Sequence, residues 1–325
     1  MVRLLGRLFL SLFLIALAGV ALCYRQPLWV VDQLIRMHLR SAGVESKYVD
    51  VDGYTIHYFE AAPAATVRVA GGGTPLVLVH GLGSRGEDWT GMIPSLAAQG
   101  FHVYVPDLLG YGRSTKPDSD YSIGLQEKIV ADFIKAVHLE KTDLGGWSMG
   151  GWVALKLTVD HPELVNRLVV YDAAGVYFPP TFDPAMFTPD NTEQFSKLTA
   201  MLSPKPPVLP RFISAAAIRR LQENAWVIKR SVRSMQLGHD LLDFSLGQIS
   251  RPTLIVWGGE DKLIPPSVGQ RMHRMIAGSS MLTIAGCGHL APSECAKPVL
   301  QGTINFLAAN PAAAADETTV SGLAR

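Results

Sequence analysis

Cysteine is scarce: three in 325 residues, at Cys23, Cys287 and Cys295. An odd number at those spacings matches no zinc pattern and offers no metal site. Cys287 and Cys295 could pair only if the chain folds back between them, so small buried residues with reduced thiols are expected. Charge is also scarce. Charged residues make up 18% of the chain and the formal net charge is +1. No Lys/Arg-rich run is present, so nothing draws in a polyanion, and nucleic-acid binding is excluded. No internal repeat is present either. What is abundant is apolar: 48% of residues are hydrophobic, enough for the sizeable core of a globular body. The length suits roughly two units of average size, but α/β folds often exceed that size as one domain.

The longest uncharged run is "LFLSLFLIALAGVALCY", residues 8–24, between Arg7 and Arg25. As a helix it would span about 25 Å, the short end of what crosses a bilayer. Residues 1–25 are therefore expected to be a retained membrane anchor. The Arg3/Arg7 flank would stay cytoplasmic and the body would lie on the periplasmic or extracytoplasmic side. Two other readings compete. "ALA" at 16–18 resembles a signal-peptidase site, and cleavage there would secrete the protein. Lipidation at Cys23 is disfavoured by the bulky Leu22 before it. Residues 26–46 carry Leu28, Val31, Leu34, Ile35 and Leu39 at helical spacing and read as an amphipathic linker helix. Such a helix could lie on the membrane or pack on the body.

From residue 47 the pattern changes. "KYVDVDG" and "YTIHYFEA" flank Asp52-Gly53, a hairpin signal, and "ATVRVAGGGTP" reads as a loop. "PLVLVHG", "FHVYVPD", "TDLGGWS", "VNRLVVYDA", "RPTLIVWGGED" and "MLTIAGCGH" are short apolar runs, as buried parallel strands would be. Helical stretches separate them at 88–99, 122–139, 149–159, 266–277 and 292–309. The alternation implies an α/β fold, a mostly parallel central sheet with helices on both faces. It covers 47–175 and 250–310. Between them, 176–249 is rich in proline and ends in the helical "ISAAAIRRLQENAWVIKRSVRSMQL", an inserted helical cap. The last residues, 311–325, have little to bury and are expected to be a disordered tail.

The chemistry centres on "GGWSMGG", residues 145–151. Ser148 falls on the turn between a buried strand and a helix. A turn this sharp strains its central residue and leaves no room for side chains two positions away, hence Gly146 and Gly150. The Met149 N–H then opens a helix, where unpaired N–H groups favour an anion. An unassisted serine is a weak nucleophile and needs a base and an orienting carboxylate. His289 follows the last strand in a glycine-rich loop, at the sheet edge that also carries Ser148. Asp261, in "WGGEDKLIPP", lies between them in chain order. Its neighbour Glu260 and, after the preceding strand, Asp172 are the alternatives. "HGLGS", residues 80–84, would present the Leu82 N–H as the second oxyanion donor. His80 and Asp107 are expected to brace loops. Trp147, beside the serine, and Phe178, at the start of the cap, are the substrate-contact candidates.

"HGLGS", "DLLGYGRS", "GWSMGG", "GGEDKLIP" and "GCGH", in this order, resemble the α/β-hydrolase superfamily from about Lys47 to Asn310. The resemblance implies Ser148 as nucleophile, His289 as base, Asp261 as acid, and Leu82 and Met149 as oxyanion donors, with no metal or organic cofactor. Serine at 148 separates the chain from the haloalkane dehalogenase and epoxide hydrolase branches, which carry aspartate there. The chain is most similar to bacterial membrane-associated lipases and esterases, or monoacylglycerol lipases. The expected activity is carboxylic ester hydrolysis on a lipid-like, medium- or long-chain acyl substrate, reached from the membrane through the N-terminal segment. Met186 and the cap aromatics Tyr177, Phe178, Phe182, Phe187, Phe195, Phe212, Trp226 and Phe244 supply both an acyl pocket and the cap's own core. Rival readings are a carbon–carbon hydrolase of the meta-cleavage type, a cofactor-free perhydrolase or haloperoxidase, and a membrane-tethered binding protein.

Overall fold

The computed structural model describes residues 2–63, 73–309 and 317–322. Most of the loop expected at 65–75 lies outside them. A hairpin starts the body: β1 (Glu45–Val51) and β2 (Tyr54–Ala61) pair antiparallel across Asp52 and Gly53. Both turn residues have positive φ, 53° and 79°, the geometry that a two-residue hairpin needs. The strands β3 (Thr74–Val79), β4 (Phe101–Pro106), β5 (Thr142–Trp147), β6 (Val165–Tyr171), β7 (Thr253–Gly258), β8 (Ser280–Ala285) and β9 (Glu317–Ser321) follow. The sheet order is β1-β2-β4-β3-β5-β6-β7-β8-β9, parallel from β4 onward.

Helices cover both faces, which is why the inner strands read as unbroken apolar runs. Every residue of β7 is buried. In β3, Val77 and Val79 enter one core while Leu76 and Leu78 enter the other. The first core packs against α4 (Ile123–Ala136), α5 (Met149–Asp160) and α9 (Pro266–Met275), through Phe133, Trp152 and Met272. The second packs against α3 (Ile93–Ala98) and α11 (Ala296–Ala308), through Leu96, Val299 and Phe306. At about 25 cal/mol per Å² of apolar area, two such layers are the main stabilising term.

Several boundaries differ from expectation. The helix expected over 88–99 is a 3₁₀ turn, Gly86–Trp89, followed by α3, which begins one residue before Pro94. The stretch 292–309 breaks at Cys295 into α10 (Ala291–Glu294) and α11. In the cap, α6 (Thr192–Leu202) precedes α7 (Arg211–Glu223) and α8 (Ala225–Leu237). The latter two were expected as one helix. They part at Asn224, whose amide donates to the Gly110 carbonyl at 3.1 Å and anchors the cap to the body. Of the stretch expected to be a disordered tail, Glu317–Ser321 form β9 on the edge of β8 and the Gly322 N–H donates to Ala285 at 2.8 Å, while 311–316 and 323–325 lie outside the described residues. Five residues with little to bury can still satisfy a strand edge by backbone pairing, a signal that composition does not carry.

At the N-terminus, α1 (Val2–Arg25) leads into α2 (Pro27–Ser41). Among the described residues no single helix is long and apolar enough to cross a membrane. Ser11–Arg25 and Pro27–Ser41, bent by 104°, meet that length and composition only as a pair. One face of α2 packs on the body through Asp32 and Leu39, while Trp29, Val31, Leu34 and Met37 are exposed.

Candidate active site

Ser148 sits between β5 and α5 at φ 57°, ψ −118°. That left-handed conformation is costly for a residue with a side chain, and surrounding contacts hold it in place. The Ser148 N–H donates to the Tyr171 carbonyl at 2.9 Å, and its own carbonyl accepts from Ala174 at 3.1 Å. A β-carbon at Gly146 would overlap the Gly150 carbonyl, and one at Gly150 would overlap the carbonyls of Val79 and His80. The glycines on either side are thus a packing requirement of the bend.

The elements that end at this edge of the sheet supply the partners. His289, after β8, has Nε2 at 2.8 Å from the Ser148 Oγ. Its Nδ1–H donates to Asp261 Oδ2, also at 2.8 Å. Asp261 follows β7, and its other oxygen accepts the N–H groups of Leu263 at 2.8 Å and Ile264 at 2.9 Å. Both His289 and Asp261 are buried, so the carboxylate is oriented from both sides and shielded from water. This hydrogen-bonded chain can take a proton from the serine hydroxyl as it attacks a carbonyl. Glu260, the adjacent alternative, faces solvent.

Asp172, the other alternative, is fully buried beside this chain but does not join it. Its Oδ1 accepts the Gly258 N–H at 2.7 Å, and its Oδ2 has no partner. Burial, and then the neighbouring Asp261 charge, push the Asp172 carboxyl well above the usual carboxylate range. Its surroundings therefore disfavour the charged form.

Leu82 follows β3 in the loop that abuts the serine. A β-carbon at Gly81 would lie 3.1 Å from the Ser148 Cβ, so only glycine lets the loop approach without displacing its neighbours. His80 braces that loop: its Nε2 accepts the Leu108 N–H at 2.9 Å and its Nδ1–H donates to the Gly81 carbonyl at 2.9 Å. Asp107 braces the next loop, accepting from Gly86 at 2.7 Å, Arg113 at 2.9 Å and the His57 ring at 2.7 Å. Met149 opens α5 directly after the serine.

Above the serine lies a cavity of about 560 Å³, lined by Ser148, His289, Leu82, Met149 and Trp147 from the body. Tyr177, Phe178, Phe182, Phe187 and Phe195 line it from the cap. The remaining cap aromatics serve elsewhere. Phe212 stacks on Tyr24, Trp226 packs edge-on against Tyr121, and Phe244 is almost wholly exposed.

Residues 76–301, more than half of the chain, match the profile of the Alpha/beta hydrolase family. The chain belongs to that family. A solved structure described as a membrane phospholipase A, a bacterial virulence factor, superimposes on this hydrolase with a TM-score of 0.77 at 26% identity, covering 93% of this chain and 98% of that one. Lipase 3 of Moraxella sp. (strain TA144) is 28% identical over 69% of this chain and 74% of its own length. A 2-hydroxy-6-oxo-6-(2'-aminophenyl)hexa-2,4-dienoic acid hydrolase of Metapseudomonas resinovorans is 30% identical over 82% of this chain and 92% of its own.

Three supports of the hydrolase site were not foreseen. Cys287 and Cys295 form a disulfide, not the expected pair of free thiols. The chain does fold back: the single turn of α10 brings their Cα atoms to 6.4 Å, with His289 inside the closed loop. The Trp147 indole N–H donates to the His289 carbonyl at 2.8 Å, so this substrate-contact candidate also holds the imidazole loop. From the cap, the Leu202 carbonyl accepts the His289 N–H at 2.8 Å. Among the described residues no group of three or more His, Cys, Asp or Glu side chains could hold a metal ion.

Proposed function

We propose that this hydrolase cleaves carboxylic esters with medium or long acyl chains through an acyl-enzyme. His289 takes the Ser148 proton, and Ser148 Oγ attacks the ester carbonyl. The N–H groups of Leu82 and Met149 hold the developing oxyanion, each worth about 3 kcal/mol in the transition state. His289 returns the proton to the departing alcohol, and water releases the acid by the reverse route. The observation that carries this reading is the Ser148–His289–Asp261 chain, 2.8 Å at each link, opening into an apolar cavity. Hydrolysis of p-nitrophenyl esters tests it. Ser148→Ala should abolish cleavage, and the chain-length series should rise beyond acetate. A sharp maximum at acetate contradicts the acyl-chain assignment.

The carbon–carbon reading draws on relatives of similar identity. The substrate named for the relative described above is a dienoic acid, which carries a carboxylate. Among the described lining residues of this cavity none is Lys or Arg, so such a charge would be buried without a fixed cation beside it. A neutral acyl chain meets no such penalty.

We further propose that the N-terminal segment is retained as a membrane anchor and that the body works on the extracytoplasmic side. Exposed Phe13, Leu17 and Val20 on α1 and Leu34 and Met37 on α2 support this. So does the Cys287–Cys295 disulfide, which an oxidising compartment maintains.

A further inference from the structure

Asp32 is the only acidic residue in the first 44, and it points inward from α2 and is buried. Its carboxylate meets two guanidinium groups from distant parts of the chain. Arg85 bonds it through Nη2 at 2.6 Å and Nη1 at 3.3 Å. Arg220 bonds it through Nη2 at 2.7 Å and Nη1 at 3.2 Å. Arg36 stands 3.8 Å away. Two forked donors on one planar acceptor fix orientation as well as distance.

Each arginine reaches a different part of the site. Arg85 lies three residues after Leu82. The intervening turn is tight: the Ser84 N–H donates to the Gly81 carbonyl at 3.2 Å. The Ser84 hydroxyl and the Arg85 N–H share Asp88 Oδ2 at 2.5 and 3.2 Å. A shift of Arg85 therefore carries the Leu82 N–H with it. Arg220 belongs to α7, and its neighbour Leu221 lines the cavity. Leu221 and, from α8, Ile228 close over Gly83, where a β-carbon would meet them at 3.8 and 3.6 Å. Oxyanion loop and cap thus touch beside the serine, and both are tied to one carboxylate on the N-terminal helix.

We propose that Asp32 is a positioning residue for ester hydrolysis, setting the oxyanion loop through Arg85 and the cap helix through Arg220. This rests on the ester-hydrolase reading above. It makes α2 part of the catalytic body, with any anchoring role additional. A sub-ångström displacement of an oxyanion donor costs turnover, whereas a displaced cap costs recognition of the acyl chain. The two arms should therefore separate in the kinetics.

The test uses the full-length protein in detergent, with p-nitrophenyl acetate and laurate as substrates. Rates are normalised to active sites counted with a fluorophosphonate. Asp32→Asn is expected to lower kcat at least fivefold on both esters and to raise KM for laurate. Arg85→Gln should reproduce the kcat loss on both. Arg220→Gln should raise KM for laurate at least threefold while kcat on acetate stays within twofold. A contact that only holds the fold together would lower the melting temperature and leave the normalised constants at wild-type values, and that result overturns the proposal. If Asp32→Asn does not fold, the two arginine variants decide: wild-type constants in both, or one common pattern of loss, overturn it. Failure of the ester-hydrolase reading would show instead as no wild-type turnover.

Discussion

Two buried carboxyls lie side by side at the site, and replacing each with asparagine should have opposite consequences. Asp261→Asn keeps the shape but presents an amide to His289 in place of a charge. It can no longer stabilise the imidazolium or hold the Nδ1–H tautomer, and kcat should fall about 10³–10⁴-fold. Asp172 is different, because burial and then the adjacent Asp261 push its carboxyl well above the usual carboxylate range in the folded protein. Asparagine there is close to isosteric and keeps the acceptor for Gly258, so kcat/KM at pH 7 should stay within about threefold. Stability follows from linkage. The unfolded chain releases the Asp172 proton above about pH 4, while the folded protein holds it to higher pH. A raised acid thus destabilises progressively as pH rises, by about 1.4 kcal/mol per pH unit until the folded group itself titrates. Asp172→Asn removes that slope, so the variant should match wild type near pH 4 and exceed it at pH 7. Asp172→Ala, by contrast, leaves the Gly258 N–H unpaired and should lose about 1–3 kcal/mol. Urea unfolding at pH 4, 5.5 and 7, beside ester kinetics, measures all of this. If Asp172→Asn lost activity as deeply as Asp261→Asn, or were less stable than wild type at pH 7, the assignment of the two carboxyls would be wrong.

Other perturbations follow from the same geometry. Cys287→Ser with Cys295→Ser opens a loop of eight-residue separation and should cost about 2–3 kcal/mol. It should also lower kcat, because His289 lies inside that loop; an unchanged melting curve with and without reductant would contradict this. Asp143, on β5, is pushed up to about 7 by burial. Its contribution is intact below about pH 4 and lost as pH rises toward 7, so Asp143→Asn should flatten that part of the stability profile. Trp147→Phe removes the indole bond to the His289 carbonyl and should lower kcat about tenfold while fluorophosphonate-titrated active sites remain countable. N-terminal sequencing of membrane-extracted protein should begin at or near Met1, and a start near Gly19 would show that the anchor is removed.

Much of the site was legible in the sequence because its constraints are local. The bend at Ser148 needs Gly146 and Gly150 for packing reasons that a seven-residue motif displays. Strand ends marked by "GGED" and "GCGH" put Asp261 and His289 on the serine's edge of the sheet. What escaped the sequence was set by contacts between distant segments. The Cys287–Cys295 bond depends on one helical turn after His289. The break between α7 and α8 depends on Asn224 reaching Gly110 across the cap–body boundary. The strand at 317–321 is held by backbone bonds, which leave no apolar pattern. Asp32 belongs to no motif, and nothing near it in the chain announces Arg85 or Arg220.

The central claim is that Ser148 is the nucleophile activated by His289, and covalent labelling addresses it most directly. Intact-mass and peptide mass spectrometry of protein treated with a fluorophosphonate should show one adduct, on the peptide containing Ser148. The adduct should be absent in Ser148→Ala and formed at least a hundredfold more slowly in His289→Ala. An adduct on another residue, or ester turnover that persists in the unlabelled Ser148→Ala protein, would contradict the account.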